Sequence, residues 1–149
     1  MILPKKPKQT KADETDAREL VNLRDNGVCV KCLRIDPFFG VNFDHRVNRS
    51  QGGEWSASNG QLMCGSGTTR CHGWATGNPQ EAIAEGYAAP GYAEPSEWPA
   101  RRWLKSAFGL RLAWVLYDDQ GGVTEITESD RLERMGLVQD MTEQRDRNG

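Results

Sequence analysis

The sequence predicts an α+β fold, a small module stapled through its cysteines with helical and β-hairpin extensions, and three observations carry that prediction. Four cysteines fall as two turn-flanked pairs, Cys29-x2-Cys32 and Cys64-x6-Cys71, with 31 residues between the pairs. Inside that frame Val41-Asn42-Phe43-Asp44-His45-Arg46-Val47 alternates apolar and polar side chains, the period of a strand. Helical spacing flanks it, in residues 13–26 before the first pair and in a capped run from Asn78 after the second.

At 149 residues the chain has the size of one domain, large enough to build one core unaided. Apolar residues make up 37% and charged residues 27%, a polar composition with no run of about 18 apolar residues, so no membrane span is expected. The start, Met1-Ile2-Leu3-Pro4-Lys5-Lys6-Pro7-Lys8, lacks the apolar stretch of an export signal, and a cytoplasmic protein is expected. Thiols stay reduced there, so four cysteines point to metal ligands rather than to disulfides. The net charge of −2 excludes a generic polycation, but residues 1–72 carry +3 and residues 73–149 carry −5. Only the first half suits a polyanion.

Taken in order, residues 1–12 are rich in Lys, Pro and Thr without a hydrophobic period and read as a disordered basic arm. Ala17, Leu20, Val21 and Leu23 have helical spacing over residues 13–26, and Gly27 can close that helix in a left-handed conformation. Cys29 and Cys32 form a knuckle. Pro37-Phe38-Phe39-Gly40 turns the chain into the strand at 41–47, a loop rich in Gly, Ser and Asn covers residues 48–60, and Gln61-Leu62-Met63-Cys64 returns. A second loop, residues 65–70, leads into a short helix from Cys71 that Gly77 ends. Asn78-Pro79-Gln80-Glu81 starts another that Gly86 closes.

Pro90, Gly91, Pro95 and Pro99 predict an irregular connection, Arg111 to Tyr117 a strand, and Asp118-Asp119-Gln120-Gly121-Gly122 a turn into a partner strand at Val123. From Glu128 a charged helix runs toward Met141 and fades into a polar tail. The domain plan is therefore an arm at 1–12, a core module at 13–87, an irregular segment with a hairpin packed on it at 88–127, and a helix with tail at 128–149. Trp98, Trp103 and Trp114 are expected in the core of the second half, and Trp74 in that of the module.

Two Cys pairs give the closed four-thiolate shell that suits structural zinc, whose binding is then folding energy. Both histidines of the chain lie within the same frame. Asp44 precedes His45 at a strand end, and His72 follows Cys71 at a helix start. Each histidine taken singly reads as a surface or core residue. Together, a carboxylate and an imidazole can hold a hard cation with positions left for water, and His45 can take a proton.

Cys29-x2-Cys32, Asp44-His45-Arg46, Gly52-Gly53, Asn59-Gly60-Gln61-Leu62-Met63-Cys64 and Cys71-His72 together resemble the zinc-containing HNH endonucleases, most closely the small bacteriophage ones. The resemblance covers roughly residues 27–87 and implies a ββα-metal, treble-clef-like module. It implies His45 as general base, Asp44 and His72 as ligands of a catalytic Mg²⁺, Mn²⁺ or other divalent ion, and Cys29, Cys32, Cys64 and Cys71 as ligands of a separate zinc. Asn59 corresponds to the central Asn that fixes the loop between the strands. The family commonly spaces its second cysteine pair by two residues and places a Lys where this chain has Ala75. Arg46, Arg49 and Arg70 are left as candidates for contacting the DNA backbone.

The implied reaction is hydrolysis of a DNA phosphodiester, one strand per active site. Cutting both strands then needs a dimer, a second binding event or adjacent nicks. The implied compartment is the host cytoplasm for a phage-encoded enzyme, and a role in DNA packaging beside a terminase is compatible with the same activity. The competing reading is a non-catalytic zinc module for nucleic acid or protein, which needs the cysteines but has no use for Asp44, His45 and His72 together.

Overall fold

The computed structural model describes residues 7–137, a mixed arrangement of four helices and two small antiparallel sheets. The first helix, α1 (Lys11–Arg24), begins with a reciprocal cap. Thr10 Oγ1 accepts from the Asp13 amide at 3.3 Å, and the Asp13 carboxylate accepts from the Thr10 amide at 2.7 Å. The expected disordered arm therefore needs correcting over residues 7–12: Gln9 is bonded to the backbone of Trp55 and helix starts at Lys11. Residues 1–6 of the arm lie outside the described residues. At the other end Asn26 and Gly27 take left-handed backbone, φ +56° and +69°, and release the chain into the first knuckle.

The strands β1 (Val41–His45) and β2 (Gly60–Cys64) pair antiparallel, with Asp44 opposite Gln61 and His45 opposite Gly60. Their side chains divide between two cores. Phe43 and Leu62 pack with Ala17, Val21 and Ala57 under α1, and Met63 and Cys64 pack with Cys29, Val30, Ala75 and Tyr87. Across the second face lie α2 (Arg70–Gly77) and α3 (Pro79–Glu85), the latter closed by Gly86 at φ +87° as its sequence predicts.

The second half departs from its sequence reading. Besides β4 (Gly109–Tyr117) and β5 (Val123–Glu125), a strand β3 (Ala100–Ser106) pairs with β4 over its whole length, from Ala100 opposite Val115 to Ser106 opposite Gly109. Trp98 and Trp114 are buried as expected, while Trp103 is half-buried with its Nε1–H donating to the Lys31 carbonyl at 3.1 Å. The charged helix α4 (Glu128–Arg134) stops at a Met135 cap, short of the expected run toward Met141; residues 138–149, with the polar tail, lie outside the described residues. No helix among the described residues is long and apolar enough to cross a membrane.

Salt bridges and backbone bonds tie this sheet to the first half. Arg102 Nη1 donates to Asp25 Oδ1 at 2.8 Å, and the same buried carboxylate takes Arg24 Nε at 2.8 Å and the Leu62 amide at 3.0 Å. The Arg101 amide donates to the Gly86 carbonyl at 3.0 Å. Asp25 has every strong partner it needs, the condition under which a buried carboxylate is tolerated.

Candidate functional site

The four cysteine sulfurs lie within 4.8 Å of one another, with Cys32 and Cys64 Sγ 3.6 Å apart. Tetrahedral thiolate coordination at about 2.3 Å requires edges of about 3.8 Å. A disulfide requires about 2.05 Å, so the cluster has the dimensions of a metal site. Burial, and then the neighbouring sulfurs, push the Cys71 thiol well above its usual range. Removing protons from sulfurs this crowded needs a cation among them, and the four can hold a metal ion such as zinc.

The six-residue spacer between Cys64 and Cys71 folds into a compact turn that keeps both sulfurs in reach. The Ser66 amide donates to Thr69 Oγ1 at 2.8 Å and the Gly73 amide to the Thr69 carbonyl at 2.8 Å. Gly73 must be glycine for this, because a Cβ there would stand 2.4 Å from the Thr68 carbonyl carbon.

At the far end of β1, Asp44 Oδ1 lies 3.2 Å from His72 Nε2 on α2. Strand alternation aims Asp44 at α2. Its other oxygen accepts from Gln61 Nε2 at 2.9 Å, and that amide also donates to the Tyr87 carbonyl at 2.6 Å. The hydrogen bond to Asp44 raises the affinity of His72 for its proton. His45 points the other way, its ring centroid 5.0 Å from Phe43 and 4.4 Å from Trp55. Burial, and then the charge of Arg49, hold its pKa down to about 4, so the imidazole is neutral at pH 7. Asp44 and His45 line one cavity of about 350 Å³ with Asn48, Gln51 and Thr76. Three buried polar atoms here have no partner among the described residues: His45 Nε2, His72 Nδ1 and Gln61 Oε1.

Asn59, fully buried, stitches the loop to the strand end. Its Oδ1 accepts from the Val47 amide at 2.8 Å, while Nδ2 donates to the Val47 carbonyl at 3.1 Å and the Glu54 carbonyl at 3.0 Å. Gly53 lets that loop close, since a Cβ there would lie 1.7 Å from the Val47 carbonyl oxygen.

The three arginines have separate environments, and one expectation is corrected. Arg46 does not face solvent: its guanidinium is buried and donates to the carbonyls of Ser58, Pro95, Trp98 and Pro99 at 2.8, 2.9, 2.8 and 3.3 Å. Strand alternation alone could not reveal this, because three of those carbonyls arrive from the irregular segment after α3. Arg49 is exposed and lies over the Trp55 indole at 5.4 Å. Arg70, at φ +56°, is pinned by its Nε to Asp36 at 2.9 Å beside the cysteine cluster.

Gln61 went unnoticed in the sequence as part of this site. Its signal was its register, directly across from Asp44. Arg18 on α1, which reaches the same Trp55 indole as Arg49, carried no local signal. No family model, curated protein or solved structure matches this chain.

Proposed function

We propose that this protein is a metal-dependent endonuclease of the HNH type that hydrolyses DNA phosphodiester bonds, with residues 41–77 as its ββα-metal module. One observation carries the reading: Asp44 at the end of β1 and His72 in the first turn of α2 meet at 3.2 Å, and the neutral His45 that follows Asp44 lines one cavity with it. A structural zinc module has no use for that second constellation. The bonds of Asn59 support the reading as well, since they hold the chain that follows His45.

The donor set fits a hard divalent ion. Asp44 Oδ1 and His72 Nε2 face each other, and Gln61 occupies the remaining carboxylate oxygen and so fixes its orientation. When bound, such an ion would neutralise charge on the phosphoryl group and the leaving oxygen. His45 supplies the base. With Nε2 buried against aromatic rings, Nδ1 is the ring nitrogen left to take a proton from water. The water oxygen forms a bond to phosphorus as the bond to the 3′-oxygen breaks, and that oxygen is protonated from solvent. The products are 5′-phosphate and 3′-hydroxyl ends, so a nick made by this protein is resealed directly by DNA ligase. Nicks that ligase leaves open until phosphate groups are repaired would contradict the mechanism. Service to a phage terminase is compatible with this activity.

A further inference from the structure

The face around His45 carries two arginines on a single indole. The guanidinium carbon of Arg18 lies 4.6 Å from the Trp55 ring centroid, and that of Arg49 lies 5.4 Å from it. The same indole packs against the His45 ring at 4.4 Å. Arg18 comes from α1 and Arg49 from the turn after β1, so the fold brings them together beside the proposed base.

Arg49 donates no side-chain hydrogen bond among the described residues, and Arg18 is held only by a long ion pair of 3.4 Å to Glu14, a carboxylate it shares with Lys11. Stacking on an aromatic ring orders a guanidinium while leaving its N–H edge free, the arrangement that meets a phosphate bidentately.

Trp55 is itself fastened in place. Gln9 Oε1 accepts from the Trp55 amide at 2.6 Å and Gln9 Nε2 donates to the Trp55 carbonyl at 2.8 Å. That pin lays the N-terminal segment along a groove of about 480 Å³ lined by Lys8, Lys11, Arg49 and Trp55 together with the carboxylates of Glu14 and Glu54.

We propose that Arg18 and Arg49, mounted on Trp55, form a phosphate clamp that receives the DNA backbone next to His45, with Lys8 extending the contact along the groove. The inference rests on the nuclease reading and names how that site holds its substrate.

The test is binding of the zinc-loaded full chain to a fluorescent duplex, without added Mg²⁺ or Mn²⁺, as a function of salt. Each lost phosphate contact lowers the slope of log Kd against log salt by about 0.9. Arg18→Gln and Arg49→Gln should each show that loss, and the double variant about 1.8. Arg18→Lys should retain the slope, as should Arg34→Gln on the exposed knuckle loop. Melting temperatures of the variants establish that they are folded. Slopes equal to the parent's in both single variants overturn the clamp while leaving the nuclease reading standing. A parent that binds no duplex at any salt overturns both.

Discussion

Arg46→Ala separates a buried structural arginine from a phosphate contact. The substitution removes three short hydrogen bonds, to the carbonyls of Ser58, Pro95 and Trp98 at 2.8 to 2.9 Å, and a longer one to Pro99 at 3.3 Å. Hydrogen bonds from charged groups contribute about 1.5–3 kcal/mol each, so the three short ones amount to about 7 kcal/mol. Against that stands the cost of burying the cation. Burial, its largest cause, pushes the Arg46 pKa down to about 10 from 12.5, equivalent to about 3 kcal/mol that the alanine recovers. The net loss is about 4 kcal/mol, or a fall in melting temperature of about 8–16 °C for a chain of this size. Circular dichroism of the zinc-loaded protein under heating measures it. A variant that melts within about 2 °C of wild type, with a shallower salt dependence of DNA binding, would place Arg46 on phosphate and refute the assignment.

Other substitutions test the remaining parts. Cys71→Ser should lower zinc content and unfold the first half, because metal binding here is folding energy of about 10 kcal/mol or more; a variant with unchanged melting and no bound metal would remove the metal from the fold. Gln61→Met should weaken Mn²⁺ binding, read by electron paramagnetic resonance, by about 10–100-fold, since it frees the Asp44 oxygen that the amide holds. Unchanged affinity would deny Gln61 any part in orienting Asp44. Gly53→Ala should destabilise more than Gly52→Ala: the first drives a Cβ to 1.7 Å from the Val47 carbonyl, whereas the second meets open space and suffers only a left-handed φ of +90°, about 1 kcal/mol. Urea unfolding of the pair decides it, and equal losses would mean that the loop closes differently.

The parts of this structure legible in sequence are those in which residue type and spacing carry the geometry locally. The cysteine pairs, the strand from Val41 as far as His45, the Asn78-Pro79 helix start and the Asp118 turn belong to this class. What escaped depends on long-range partners. The strand β3 begins Ala100-Arg101-Arg102 and reads as part of the irregular segment, yet Arg102 pairs with buried Asp25, and Arg101 lies 4.6 Å over Trp114. Charged residues hide a half-buried strand whenever their counterparts come from elsewhere in the chain.

Arg46 fails for the same reason, since its acceptors are carbonyls from a segment with no regular structure. The segment before α1 reads as disordered by composition, but a single amide side chain, Gln9, ties it to Trp55. Within the site, Asp44, His45, Asn59 and His72 are visible as residues. The opposed directions of Asp44 and His45 follow from strand period, whereas the 3.2 Å approach of His72 depends on how α2 docks.

The central claim is catalytic, and nicking of supercoiled plasmid tests it most directly. Zinc-loaded wild type with Mg²⁺ or Mn²⁺ at low salt should convert supercoiled DNA to open circles, and His45→Ala should do so about 10²–10⁴-fold more slowly. Equal rates for the two would remove His45 from the mechanism, and no conversion by folded wild type would contradict the nuclease account and favour a non-catalytic zinc module.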